Sequence, residues 1–392
     1  MTIGKLALCA AAAWGLIGLA AASAQQNAPA PGAAAPAPAP AQGQPPRGGG
    51  GMGGGMPPVD EAKLRAEHPE LYVLPPVPHD YKPKRTSWGD PDFTGMWPVD
   101  SIGGLLFQRP VAMGDRVFLS DQEFAAVDAR MEKSRGAAAA EDKANKLGMG
   151  NWVESFAVGN RTSLLIDPAD GRLPALTPYG DAMQRIGRSS WVNGQTYDWT
   201  TDFDSWDRCV TRGFPASMLP FRYNNGMRIL QGPGVVVVDL EMIHDSRIIY
   251  TDGRTPPKGV TNYMGYSVGH WEGNTLVVET SNIREGAAPL NAATIGGPNP
   301  ATNTIPMSKD AHVTERFQLA DANTLVYTMT YSDPKVWTKP YTTRMEIPRN
   351  DKYEFYEYAC HEGDVQVRNY INSSRALRAK GVTVADQGPA RE

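Results

Sequence analysis

The chain alternates most clearly between Met227 and Arg254, MRILQGPGVVVVDLEMIHDSRIIYTDGR. Val235–Val238 is a β-branched run that reads as a buried strand. Along it Val236, Val238, Leu240, Met242 and His244 share one face, while Val235, Val237, Asp239, Glu241 and Ile243 share the other. An apolar face that ends in a histidine, followed at once by Asp245 and Arg247, is an odd strand ending. Ser246–Tyr250 reads as the return strand and Asp252-Gly253 as its closing turn.

Strand signals continue at regular intervals. Gly265–Trp271 and Thr275–Asn282 flank the turn Glu272-Gly273-Asn274, and His312–Leu319 and Thr324–Ser332 flank Ala320–Asn323. Tyr341–Ile347 and Tyr353–Cys360 form a further pair around Pro348–Lys352. Upstream, Asp92–Trp97 reads as a first strand and Thr162–Ile166 as another. From Met227 on, about nine strands joined mainly by short turns predict an all-β, mainly antiparallel fold. It is a single lipocalin-like barrel or a strongly curved sheet, although a two-sheet sandwich fits the same spacing.

Two or three accessory helices complete the picture. Ser120 and Glu123 form a capping box for a helix from about Asp121 to Arg135, which Ala137–Lys146 continues or frays. Thr177 caps a short helix with Pro178 in its first turn, and Asp364 caps a last one over Val365–Lys380, stopped by Gly381. Trp191–Tyr223 is aromatic without periodicity, either a cover over a cavity or a wrapped loop. Gly286–Ser308 is a long Ala/Pro/Asn/Gly loop.

Composition adds a compartment. Residues 1–24 carry Lys5, the apolar run Leu6–Leu19 and the small-residue site Ala22-Ser23-Ala24, the marks of a signal peptide, with an uncleaved anchor as the alternative. Residues 25–58 are Ala/Pro- then Gly-rich with Arg47 as their one charge, a disordered linker. Residues 59–392 remain as one β-rich domain with an N-terminal helical insertion and a C-terminal helix. These marks point to a periplasmic or secreted protein with no membrane span after cleavage.

The net charge of −4 becomes −5 when Lys5 leaves with the leader, and the chain shows no basic stripe. This balance argues against nucleic acid as a partner. Cys9 belongs to the leader. Cys209 and Cys360 remain, and in an oxidising compartment they predict a disulfide. Two free thiols, or a Cys360-His361 ligand pair, are the alternatives.

Polar residues that ride on apolar strand faces carry the candidate chemistry. Val313, Glu315, Phe317 and Leu319 share a face, as do Tyr266, Val268 and His270. Over Tyr353–His361 both faces are aromatic; if Phe355 points inward, Glu357 and His361 follow. With His244 these form a candidate set for general acid–base catalysis in an apolar hollow: His244, Glu315, Glu357, His270 and His361. His244 with Glu315 or Glu357 would move protons, and His270 and His361 would polarise the substrate.

The structural alternative pairs Glu315 with Arg247 or Arg344 and satisfies the histidines with carbonyls. No cofactor is called for; zinc or a similar divalent metal is the alternative, without H-x-H or H-E-x-x-H spacing to support it. Arg247, Tyr266, Trp271, Tyr327 and Trp337 are the candidate substrate contacts, suited to a flat ligand if they line a barrel mouth. The expected function is an exported enzyme performing isomerisation, elimination or hydrolysis on a small hydrophobic, aromatic or glycosylated molecule. A non-catalytic binding protein for such a ligand, or an envelope-associated interaction protein, is the alternative.

The segments NRTSLLIDPADGRLPALTP, EMIHDSRIIYTDGR, WEGNTLVVETSN, HVTERFQLADANTLVYTMTYSDP and YEYACHEGD together resemble a large group of exported bacterial proteins of unknown function. The resemblance covers about Asn160–Asp364, implies export and a single unit, and supplies no residue roles. Separately, Gly95-Met96-Trp97 is similar to the G-x-W of a lipocalin first strand.

Overall fold

The computed structural model describes residues 59–382 apart from 103, 145–158, 191–194, 222 and 287–306. The expected signal peptide and linker (residues 1–58), Trp191 and most of the expected Gly286–Ser308 loop lie outside the described residues.

Alternation and turn chemistry produce one sheet. Its strands are β1 (Gly95–Met96), β2 (Leu165–Asp167), β3 (Met227–Gly232), β4 (Val235–Leu240), β5 (Ser246–Tyr250), β6 (Tyr266–Glu272), β7 (Thr275–Ser281), β8 (His312–Asp321), β9 (Thr324–Ser332) and β10 (Tyr341–Pro348). They lie in the order β1-β3-β4-β5-β6-β7-β8-β9-β10-β2, antiparallel throughout except where β5 meets β6. The sheet curls into a half-barrel, with β1 and β2 as its edges. The expected curved antiparallel sheet is therefore present. Two short strands from the N-terminal half pair with both ends of a run of strands built by the C-terminal half.

The expected hairpins keep their turns. β6 and β7 pair from Tyr266↔Ser281 to Glu272↔Thr275, and β8 and β9 pair across ten residues on one side and nine on the other. The third differs. Tyr353–Cys360 forms no strand, because the free edge of β10 is already taken by β2 through Thr342↔Asp167. The segment leaves the sheet instead and is held by Glu241, which accepts from the Tyr353 hydroxyl (2.7 Å) and the Tyr356 amide (2.9 Å).

The core fills the concave side. Val236, Val238 and Leu240 of β4 and Val313, Glu315, Phe317 and Leu319 of β8 all point into it, as alternation predicts. Trp97 is fully buried, donates its backbone N–H to the Met227 carbonyl and lies 5.5 Å beneath the guanidinium of Arg349. Among the described residues of the 191–223 segment, Phe214, Met218 and Leu219 insert into the same core, so this aromatic stretch is a cover whose side chains occupy the space beneath it.

The described helices are α1 (Glu61–Glu67), α2 (Asp121–Lys143), α3 (Pro178–Ile186), a single turn α4 (Cys360–Gly363) and α5 (Val365–Ala379). α1 has no counterpart in the sequence reading. The Ser120/Glu123 capping box forms, and Glu123 is also buried against Arg116, which starts α2 firmly. None of these helices is long and apolar enough to cross a membrane.

Candidate functional site

An ionic group lies among the strands β5 to β9. Arg247 and Glu315, with side chains 2% and 0% exposed, form a two-pronged pair. Arg247 also donates to Ser267 Oγ (3.0 and 2.9 Å) and Thr280 Oγ1 (2.8 Å), and lies 4.3 Å over the Phe214 ring. Glu315 accepts a further bond from the Tyr327 hydroxyl at 2.7 Å. Every lone pair that a reacting carboxylate would need is engaged by protein, and apolar core surrounds the group. This is the structural pairing that the residue pattern allowed.

The other four candidate catalytic residues do not join it. His270 is exposed and 3.3 Å from Glu272, because β6 turns Ser267 and Gly269 inward and Tyr266, Val268 and His270 outward. Small residues are required on the inner side: Ser267 receives Arg247, and a Cβ on Gly269 would lie 3.0 Å from Ile249. Glu357 is exposed on the segment that never becomes a strand, and His361 is exposed on α4. His244 is exposed too, because β4 ends at Leu240 and Met242–His244 forms a tight turn with Ile243 at φ 60° and His244 at φ 47°. The expected common hollow is therefore absent among the described residues.

The aromatic candidates disperse in the same way. Tyr327 and Trp337 are buried, Trp271 packs edge-on to Phe93 at 5.4 Å, and Tyr266 stacks on Tyr250 at 5.2 Å outside the core. They pack the protein rather than line an open mouth.

A different cluster forms beyond the end of β4. Trp206, Phe221, Met242 and Ile243 make a small second core, flanked by Tyr223 and Tyr358. Arg212 is buried within it, 5.2 Å over Trp206 and 5.1 Å over Phe221, and burial draws its guanidinium down to about 10. Beside it lies a cavity of about 20 Å³ lined by Arg212, Asn224, Asn225 and Met242, room for a single water. The Cys209–Cys360 disulfide, predicted from the sequence, ties this rim to α4.

Around this second core stand titratable groups on three separate segments. The His244 ring is 6.3 Å from Tyr358 and nearly perpendicular to it. Asp245 accepts from the Thr211 hydroxyl at 2.6 Å; burial raises its carboxyl, opposed by Thr211 and His244. Burial also raises the Tyr358 hydroxyl, which therefore keeps its proton. Cys209 Sγ, a ring nitrogen of His361 and a carboxylate oxygen of Asp364 lie within 4.8 Å of one another. Sequence marks Asp245 only as an odd strand ending and Asp364 only as a helix cap; Thr211 and Tyr358 carry no signal there, and the fold brings Thr211 to Asp245 and Tyr358 to His244.

The backbone here is strained. Among the described residues, five non-glycine positions have positive φ, and four of them belong to this rim: Cys209 (56°), Asn224 (52°), Ile243 (60°) and His244 (47°). Contacts connect them: Asn224 donates to Glu241, His244 N–H donates to the Glu241 carbonyl, and Cys209 N–H donates to that of Trp206. A β-branched residue such as Ile243 at φ 60° is a genuine outlier, costing of order 1–3 kcal/mol.

The loop that carries the rim also senses pH. Asp207 accepts from the Ser190 amide (2.8 Å), the Ser190 hydroxyl and the Asp204 amide (3.1 Å), and burial together with the Asp204 charge pushes its carboxyl up to about 6. The folded chain thus keeps a proton that the unfolded chain releases near pH 4, so this contribution is complete below about pH 4 and is lost as pH rises to about 6. Urea unfolding at pH 4, 5, 6 and 7 should show a loss of about 1–3 kcal/mol from this group, and Asp207→Asn should flatten that part of the profile. A variant that tracks the parent at every pH would remove Asp207 as the cause.

No protein-family model matches the chain, and no curated protein and no solved structure matches it significantly.

Proposed function

We propose that the protein is an exported enzyme that moves protons on a small aromatic or hydrophobic molecule at the His244 rim, by isomerisation, elimination or hydrolysis. The reading rests on one observation above all: left-handed strain on Cys209, Asn224, Ile243 and His244 gathers where an imidazole, a protonated phenol and a raised carboxyl also gather. Strain of this kind persists when the surrounding structure holds a side chain for a task. His244 presents an imidazole to solvent, and imidazole suits proton transfer near neutral pH. Tyr358 serves as the matching acid, and Asp245, fixed by Thr211, sets the direction of the turn. The disulfide supports export.

The full mature chain should be assayed on aryl esters, aryl glycosides and conjugated enones, with His244→Ala and Tyr358→Phe in parallel. His244→Ala should lower turnover about 10²–10⁴-fold with little change in melting temperature, because His244 is exposed and buries no apolar surface. Equal rates for parent and His244→Ala would overturn the reading. The exposed Trp199, Tyr356 and Tyr370 favour a second reading, a protein that holds an aromatic ligand unchanged. That outcome would be a small molecule retained in native mass spectrometry with no product formed.

A further inference from the structure

The surroundings of the disulfide are more elaborate than a structural cross-link needs. Cys209 is buried, His361 is exposed and Asp364 is half-buried, yet their donor atoms lie within 4.8 Å of one another, with Cys360 Sγ bonded to Cys209 Sγ. A disulfide carries no charge, and its sulfurs are weak acceptors, so it gains little from an imidazole and a carboxylate beside it. Cys360, His361 and Asp364 come from one short run, CHEGD, in which one helical turn sets His361 and Asp364 three residues apart on a common face.

Two thiolates, an imidazole and a carboxylate are a complete tetrahedral donor set for zinc. We infer that opening the Cys209–Cys360 bond converts this cluster into a zinc site with Cys209, Cys360, His361 and Asp364 as its four ligands. The steps balance. A dithiol reductant delivers two electrons and two protons, the S–S bond breaks, and the reductant becomes a disulfide. Zinc then displaces the two thiol protons and binds two thiolates, the neutral imidazole and the carboxylate. Zinc–sulfur bonds of about 2.3 Å and zinc–nitrogen or zinc–oxygen bonds of about 2.0–2.2 Å put tetrahedral ligand atoms about 3.3–3.8 Å apart.

The non-sulfur donors therefore close by at most about 1.5 Å, and the sulfurs separate by roughly 2 Å. His361, open to solvent, supplies the path by which the ion enters. In the reduced state the metal would join the same two chain segments that the disulfide joins in the oxidised state. The inference does not depend on catalysis at His244, so the two readings fail separately.

The test uses the full mature chain, oxidised or reduced with a small dithiol and desalted without oxygen. Zinc is titrated in, and cobalt(II) serves as the spectroscopic stand-in for tetrahedral thiolate coordination. The reduced chain should take up about one zinc and the oxidised chain essentially none, with diamide releasing the ion again. His361→Ala and Asp364→Asn should each weaken binding at least about tenfold, and His244→Ala should leave it unchanged. Zinc should also raise the melting temperature of the reduced parent and not that of reduced His361→Ala. If reduction unfolds the chain, zinc must restore the native circular dichroism. No uptake after reduction, no such restoration, uptake equally tight in both ligand variants, or loss of uptake in His244→Ala would each overturn the assignment.

Discussion

Replacing Arg247 with methionine while leaving Glu315 in place should destabilise the protein by about 3–5 kcal/mol, a large share of the 5–15 kcal/mol that holds a typical domain folded. The substitution strands a carboxylate that is 0% exposed, with the Tyr327 hydroxyl as its main remaining donor. Glu315→Gln should cost a comparable amount, since it leaves the guanidinium between Ser267, Thr280 and Phe214 without its counter-charge. The paired variant Arg247→Met/Glu315→Leu should be less damaging than either change alone. It removes both charges, and Ser267 and Thr280 still bond each other at 2.9 Å. Urea unfolding of the four proteins checks this. Simple addition of the two single costs would show that the charges do not act as a pair. Any lost turnover in Glu315→Gln should track the loss of folded protein, unlike that in His244→Ala.

The parts of the fold that were legible in sequence are those in which local pattern and tertiary demand agree. β8 alternates Val313, Glu315, Phe317 and Leu319 inward, and the sheet uses that face. The Ser120/Glu123 capping box starts α2, and Cys209 pairs with Cys360. β6 departs from this agreement, because its more apolar face is not its inner face. A guanidinium already occupies the space inside β6, so serine and glycine face inward and Tyr266, Val268 and His270 face out. Tyr353–Cys360 has the composition of a strand but no open edge to join, and sheet order is not written in any single segment.

The candidate site shows the same division. His244 stood out as an anomaly at the end of an apolar face, and it does mark the rim. The turn that exposes it has no glycine or asparagine to announce two left-handed residues; Glu241–Asp245 reads as continuing strand. A carboxylate on an inner face, such as Glu315, needs a partner, and Arg247 supplies it as a structural pair. The long-range partners lie elsewhere in sequence: Thr211, on the covering loop, bonds Asp245; Tyr358, after β10, meets His244; and Cys209 meets His361 and Asp364. Only the disulfide and the second core assemble them.

Reducing the disulfide, or replacing both cysteines with serine, should cost up to about 5 kcal/mol in metal-free buffer, since the bond closes a loop spanning 151 residues in the unfolded chain. The weaker tie between the same segments indicates how this loss will be distributed. Beyond the bond, the C-terminal segment is held by Glu241, by the Tyr197–Tyr370 and Phe203–Tyr370 ring contacts, and by Asp198 pairing with Arg375 and Arg378 at the surface. Exposed ion pairs contribute little, so α5 and the covering loop should lose protection before the sheet does. Hydrogen exchange on the reduced protein should therefore accelerate first over Val365–Ala379 and the amides near Cys209, while β7–β9 exchange more slowly than either. If β7–β9 lose protection in step with α5, the rim and the sheet open as one cooperative unit, and the disulfide supports the whole fold rather than its rim.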